Sequence, residues 1–354
     1  MKTRPFYHLS EENEKELFNN SIIIFDTSSL LDFYFFTDEN INELEEKFFK
    51  AVRERLYLTY QSHFEFLKNK DKVKMKPIDS YNSLLKRSKN KDDSGHIEEI
   101  ENVVKQIASN IGDEIKGHLK TFEQKVSKNN KHPHLKSVDF NKFNKQLDKF
   151  KNQFNIFETN FEDFKQSIIK EIENQKTKFK NHEIDKVIPL IENYFNVTEE
   201  YSVNKIFELI KEGEFRYQNQ IPPGYMDKDG KSGFQKYGDL IIWDEILNLA
   251  KGNNSNVILV INDVKEDWWY LDENKKHISP RYELIKEFKD NSNKEFWMYD
   301  ISTFLFKANN YIATSIDSET IEEIRYLTEE NTLEIDDKNF MEWVFDYFET
   351  HQIS

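Results

Sequence analysis

The chain has no cysteine among its 354 residues. Disulfides, zinc–thiolate sites and thiol nucleophiles are therefore excluded, and the composition fits a reducing cytoplasm. No apolar run approaches the roughly 20 residues that a membrane-spanning helix requires. The opening stretch MKTRPFYHLSEENEKELF lacks the apolar core of a signal peptide. A soluble, cytoplasmic chain with no membrane association is the expectation. Positive charge is also short, since the net charge is −15. That balance is uneven: residues 66–190 carry 26 Lys and Arg against 19 Asp and Glu, a local +7, and the remainder carries −22. A phosphate backbone responds to the local field, so the acidic total does not exclude a nucleic-acid partner. Aromatic and aliphatic residues are plentiful, with 30 Phe, 16 Tyr and a hydrophobic share of 37%. Such a chain can bury a proper core.

Three regions differ in pattern. Residues 20–74 predict a βαβα start: a buried strand Ile22–Phe25, a helix from about Asn40 to Glu54, a strand Leu56–Thr59 and a helix from Gln61 to Lys70. Residues 90–185 offer no strand. There, Phe140, Phe143, Leu147, Phe150, Phe154, Phe157, Phe161, Phe164 and Ile168 alternate spacings of three and four, a heptad seam. Upstream, Ile97, Ile100, Val104, Ile107, Ile111, Ile115, Leu119, Phe122 and Val126 keep nearly the same spacing. The polar break SKNNKHPHLKS (127–137) separates them. A long antiparallel helical hairpin follows, each arm on the order of 45 Å at 1.5 Å per residue.

From 200 the pattern returns to α/β, with a helix at 200–215 and a Gly/Pro/Lys-rich loop at 219–238. A helix at Asp239–Lys251, a strand Val257–Ile261, a helix Pro280–Lys289, a strand Phe296–Tyr299 and a helix from Ser302 come next. The expected division is 1–75 and 196–316 as two parts of one α/β domain, 76–195 as the inserted hairpin, and 317–354 as an acidic helical segment. Alternating strands and helices predict a parallel sheet flanked by helices.

Asp26 directly follows the first strand, and Asp263 follows the strand VILVI. In a parallel sheet both project from the carboxyl ends, where ligands bind in open α/β folds. Asp239 opens a helix, and Glu65 lies in the first turns of the helix after the second strand. Converging carboxylates raise one another's pKa unless a cation holds them ionised. Oxygen-only ligands of this kind suit Mg²⁺ or Mn²⁺, which can polarise a phosphate oxygen and deliver hydroxide. Each acid also has an ordinary role open to it: Asp26 and Asp239 as helix N-caps, Glu65 as a solvated helix residue, Asp263 as a turn former.

Four segments carry a family resemblance: IIIFDTSSLLDFY (22–34), TYQSHFEFLKNK (59–70), PPGYMDKDGKSGFQKYGDLIIWDEIL (222–247) and VILVINDVKEDWW (257–269). On these the chain resembles the PIN-domain nuclease superfamily, most closely its bacterial PIN-like branch with a long helical insertion. The resemblance implies that Asp26, Glu65, Asp239 and Asp263 are the catalytic metal ligands. Where many members carry Thr or Ser two residues before the last acid, this chain has Ile261. A metal-dependent endonuclease is implied, most often acting on RNA and often as a toxin or defence effector.

Around those acids, Ser28 is expected to support Asp26, and Lys265 either to steady a phosphate or to pair with Asp267. Lys228, Lys231 and Lys236 could meet phosphates or simply be solvated. Gly230-Lys231-Ser232 does not make a P-loop, and Asp227, Asp229 and Gly230 do not make a calcium loop, because the spacings are wrong. Trp268 and Trp269 read as core or lid residues, His63 as structural, and His132 with His134 as too few ligands for a metal. The Lys-rich face of the hairpin could position RNA or dock a regulatory protein. A structure-selective DNA nuclease, a non-catalytic binding module acting through the hairpin, and an enzyme silenced by its acidic C-terminal segment are the other readings open at this point. Oligomeric state is not legible.

Overall fold

The structure, a computed structural model, describes residues 9–85, 96–127, 139–180, 185–228, 233–273 and 276–328. These fall into two compact units, which part after Lys74 and again before Asp185. Among the described residues, no helix is long and apolar enough to cross a membrane.

The α/β unit begins with α1 (Glu11–Asn20), β1 (Ser21–Phe25), α2 (Thr27–Leu31), α3 (Asp38–Leu44), α4 (Lys50–Val52), β2 (Leu56–Leu58) and α5 (Tyr60–Leu85). The helix expected over 40–54 is broken by a wide turn at Glu45–Phe49. Phe48 and Phe49 of this turn are both buried in the core. The chain leaves at Lys74 and returns at Asp185, and these two side chains pair at 3.5 Å. The Tyr34 hydroxyl also donates to Asp185 at 3.1 Å. The hairpin insertion therefore ends earlier than the expected 195. The helix α8 (Val187–Tyr194) buries Val187, Leu190 and Ile191 in the α/β core.

After α8 come β3 (Asn196–Val197), α9 (Val203–Gln218), α10 (Gly238–Asn253), β4 (Asn256–Val260), β5 (Trp269–Leu271), β6 (His277–Pro280), α11 (Tyr282–Ser292), β7 (Phe296–Tyr299) and α12 (Ile301–Tyr311). The sequence pattern does not reveal the two-residue β3 or the antiparallel β5–β6 pair. Pro280 ends β6 instead of opening a helix. A last helix over 318–328 buries Ile321 and Ile324 in the same core, so this part of the acidic segment packs on the α/β unit. The remainder of that segment, with Phe340, Trp343, Val344 and Tyr347, lies outside the described residues.

Five strands form a parallel sheet in the order β3-β2-β1-β4-β7. Strand β1 is buried along its whole length, as a parallel strand covered on both faces should be. Its side chains alternate: Ile23 and Phe25 join the core beneath α1, α3, α8 and α12, and Ile22 and Ile24 face Trp243 and Ile246 of α10. The two central strands pair in register from Ser21 with Asn256 to Phe25 with Val260. Chain order reverses between them, so a switch-point crevice opens at their carboxyl ends.

The second unit holds two long helices, α6 (His96–Ser127) and α7 (Phe140–Lys180), about 48 and 62 Å long at 1.5 Å per residue. Lys165 pairs with Glu101 at 2.7 Å, Lys116 with Asp148 at 3.1 Å, and the rings of Phe122 and Phe140 lie 5.7 Å apart. As one partner advances along α6 the other retreats along α7, which makes the arms antiparallel. Their connection, with His132 and His134, lies outside the described residues.

One buried acid ties the α/β elements together. Glu245 of α10 accepts from the Thr198 hydroxyl at 3.0 Å and from the Gln61 backbone N–H at 3.4 Å, which joins α10 to the exit of β3 and the start of α5. Burial pushes its carboxyl up to about 7, against the lowering effect of those hydrogen bonds. A raised folded-state pKa means that its contribution is fully present below the unfolded value and is lost as pH rises through about 7. Glu245→Gln should therefore flatten the fall in Tm between about pH 5 and about pH 8, and raise Tm by a few degrees at the upper end. Thermal melts across that range check it. A parent-like profile would mean that Glu245 titrates normally.

Candidate active site

The crevice between β1 and β4 is built by short polar side chains. The Asp26 backbone N–H donates to the Val260 carbonyl at 2.9 Å, so the acid leaves the sheet directly beside β4. Its Oδ2 accepts from the Ser28 backbone N–H at 3.0 Å and from the Ser28 hydroxyl at 2.8 Å. Asp26 thus caps α2, as one of its open readings had it, and its side chain is buried. The Ser28 Oγ in turn accepts from the Asn262 backbone N–H at 3.1 Å. The Asn262 amide donates to Asp32 at 2.6 Å and accepts from the Ile301 N–H at 2.9 Å. Asn262 therefore clamps the exits of β1 and β4 to the start of α12, a role its place in the sequence does not disclose.

Past β4, the Lys265 ammonium sits among three acids. It lies 2.9 Å from Asp263, 2.9 Å from Asp227 and 3.9 Å from Asp239. Asp239 is not a helix cap: the cap of α10 is Tyr237, which makes no side-chain bond there. The Asp239 carboxylate instead accepts from the Trp268 indole N–H at 3.3 Å. Lys265 was expected to meet phosphate or Asp267. Its close partners are Asp227 and Asp263, because Asp267 is turned inward. The Asp267 Oδ2 accepts from the backbone N–H groups of Gly224 and Met226, both at 3.0 Å, and its Oδ1 is buried without a hydrogen-bond partner. Those two bonds pin the 222–228 segment against the exit of β4 and bring Asp227 to Lys265.

Glu65 approaches from α5. Its Oε1 accepts from the Gln61 amide at 2.7 Å, and a methyl group on Gly238 would lie 2.5 Å from that oxygen. Only glycine leaves room there for the carboxylate, one residue before Asp239. Gly224 adopts φ +90°, and a methyl group there would lie 3.0 Å from the Asp239 Cβ. The Lys236 ammonium stands 4.7 Å from the centre of the Tyr237 ring. Lys228 closes the short turn Tyr225–Lys228, and Lys231 lies outside the described residues. Trp268 and Trp269 are both buried, and Trp269 stacks on His277 at 4.2 Å. In the sequence, Asp227 and Asp267 read only as part of a rejected calcium loop and as a partner for Lys265, not as residues of the site. The signal available was their position, one in the loop before Asp239 and one just past Lys265.

These acids feel one another. Burial raises the Asp26 carboxyl, the Ser28 hydrogen bonds oppose that, and the charge of Asp239 adds to the rise. Burial also raises Asp263, Lys265 lowers it, and Asp26 and Asp227 push it up again. Asp267 is pushed up to about 6, first by burial and then by Asp239. Burial acts to lower the Lys265 ammonium, but Asp239, Asp263 and Asp227 outweigh it and hold the group well above the ordinary lysine value. Among the described residues, no three His, Cys, Asp or Glu side chains are disposed to hold one metal ion as they stand. The donor chemistry nonetheless fits a hard divalent cation: the groups are carboxylate oxygens, and one cation, the ammonium, is already accepted between them. Asp26, Asp227, Asp239 and Asp263 are the residues that could hold such an ion, with Glu65 adjoining.

Removing the ammonium should expose the repulsion it cancels. Lys265→Met is expected to cost on the order of 1–3 kcal/mol, less than a fully buried pair because the lysine is partly exposed. Tm should fall by roughly 3–8 °C, and added Mn²⁺ should restore more of it than the parent gains. A melt that neither falls nor responds to Mn²⁺ would show that the ammonium is not the counter-charge.

Comparison with known proteins adds a family. The family described as "PIN like domain" matches residues 22–284, a span that takes in Asp26, Glu65, Asp239 and Asp263 together with the helical insertion. No curated protein matches the chain, and no solved structure does. PIN-like domains are generally nucleases. With that span covering well over half of its length, and with acids gathered at the carboxyl edge of a parallel sheet, the chain belongs to the PIN-like domain family.

Proposed function

We propose that this chain is a metal-dependent endonuclease that hydrolyses phosphodiester bonds in RNA, using Mg²⁺ or Mn²⁺ held by Asp26, Asp227, Asp239 and Asp263, with Glu65 at its margin. The single observation that carries the reading is the gathering of Asp227, Asp239 and Asp263 around Lys265 at the exit of β4, beside Asp26 at the exit of β1. A divalent ion bound there would polarise a phosphate oxygen and supply hydroxide at neutral pH.

The chain's own residues prepare the site for that chemistry. Ser28 and the Trp268 indole orient the Asp26 and Asp239 carboxylates before any ligand arrives. Asp267 fixes the loop that carries Asp227. Lys265 balances the acids in the free chain and, once a stronger cation takes that place, has an ammonium to offer a phosphate oxygen. A nucleic-acid substrate is supported by the local +7 of residues 66–190 and by the family's general nuclease character, and RNA is the choice that the resemblance implies.

A mixed RNA pool incubated with Mn²⁺ or Mg²⁺, parent beside Asp26→Asn/Asp239→Asn, is the direct test. The parent should cleave, EDTA should abolish cleavage, and the double variant should lose at least about a hundredfold in rate. Equal cleavage by both would remove these acids from the reaction, and cleavage of matched DNA alone would reassign the substrate. Gly238→Ala separates activity from stability. The added methyl displaces only the flexible end of Glu65 and puts a better helix former into α10, so Tm should hold or rise slightly. Cleavage should drop by about tenfold or more if Glu65 serves the site beside Asp239. Unchanged cleavage would assign Glu65 a structural role.

A further inference from the structure

Among the described residues, the helical hairpin closes one apolar seam of its heptads and leaves a second exposed. Along α7, Leu147 is buried, whereas Phe143, Phe150, Phe157 and Phe164 are each between 43% and 54% exposed. These four rings recur every seven residues, so they form one straight stripe spanning about 32 Å. Along α6, Val104 is buried, and Ile100, Ile107, Ile115 and Phe122 stand exposed. The register set by Lys165 with Glu101, Lys116 with Asp148 and Phe122 with Phe140 puts the two rows on the same levels. Ile100 falls level with Phe164, Ile107 with Phe157, Ile115 with Phe150, and Phe122 with Phe143. The result is an apolar face two helices wide and four rungs long.

We propose that this face pairs with the same face of a second copy of the chain, so that two hairpins form a four-helix bundle. A strict seven-residue repeat is complementary to another helix with that repeat, and the face itself supplies one. In a two-fold pairing the same patch serves both partners, so every rung meets a rung of equal spacing. The eight side chains leave roughly 700 Å² of apolar surface, more than the few hundred Å² a monomer ordinarily shows. A standard stable interface uses about 800 Å² per partner. Nucleic acid would be met by cations and single stacking rings, with no call for aliphatic rungs at coiled-coil spacing. The proposal is independent of the nuclease reading.

The full chain tests it. Light scattering on the eluting protein at tens of micromolar should give twice the chain mass, and Phe150→Glu/Phe157→Glu should give the chain mass with unchanged helicity by circular dichroism. Because the sequence has no cysteine, Phe150→Cys/Phe157→Cys offers a second measurement with no background. Two positions seven residues apart on one helix are separated by about 10 Å and cannot bridge within a chain, so a disulfide between them must join two copies. Mild oxidation should convert most of the protein to a covalent dimer, and Asn152→Cys/Thr159→Cys, on another face of α7, should cross-link at least tenfold less. A monomeric parent that does not cross-link overturns the proposal, as does a dimer that survives the two glutamates. A monomer that cross-links only after residues 329–354 are deleted would assign the face to that acidic segment and overturn it equally.

Discussion

Carboxylates do not gather in a partly buried crevice unless something cancels their charge. In this chain the Lys265 ammonium does so, at 2.9 Å from both Asp227 and Asp263. Much of the crevice is arranged around that balance. Burial and mutual repulsion raise Asp26 and Asp263, while Asp239, Asp263 and Asp227 hold the Lys265 ammonium well above the ordinary lysine value. The site is therefore charged, poised and compact before any ligand binds. Under the proposed reading, such a group of acids would hold a cation that in turn meets a phosphate anion.

The supporting geometry is economical in residue types. Ser28 orients Asp26 and also receives Asn262, so one hydroxyl couples the exits of two strands. Trp268 packs in the core against Trp243 and offers its indole N–H to Asp239, so a hydrophobic anchor doubles as a polar guide. Glycine serves where closeness matters, with Gly238 admitting Glu65 and Gly224 admitting Asp239.

The inserted hairpin obeys a different rule. Its arms are held by periodicity and by ion pairs between them, and its apolar content exceeds what two helices can bury against each other. A heptad pattern sustained along both arms calls for more neighbours than the hairpin itself supplies. The insertion and the crevice are thus separate in their physics: one depends on desolvated charge, the other on apolar area.

Much of this was legible in the residues themselves. The runs Ile22–Phe25 and Val257–Ile261 and the three-four spacing of the Phe residues disclosed two central strands and the hairpin, because side-chain periodicity is a local property of the backbone. Asp26 and Asp263 could be placed at strand ends for the same reason. Glu65 and Asp239 could be named, but whether they met could not be read from spacing. That depended on Gly238 and on α10 lying against the start of α5 through Glu245. The inward turn of Asp267, the arrival of Asp227 and the central position of Lys265 were likewise invisible, as were the short strands β3, β5 and β6. Most depend on contacts between residues tens to hundreds of positions apart, such as Asp227 with Lys265 and Asp26 with Val260. Local sequence determines what an element is; only the packing of β1 beside β4 decided which charges would share a crevice.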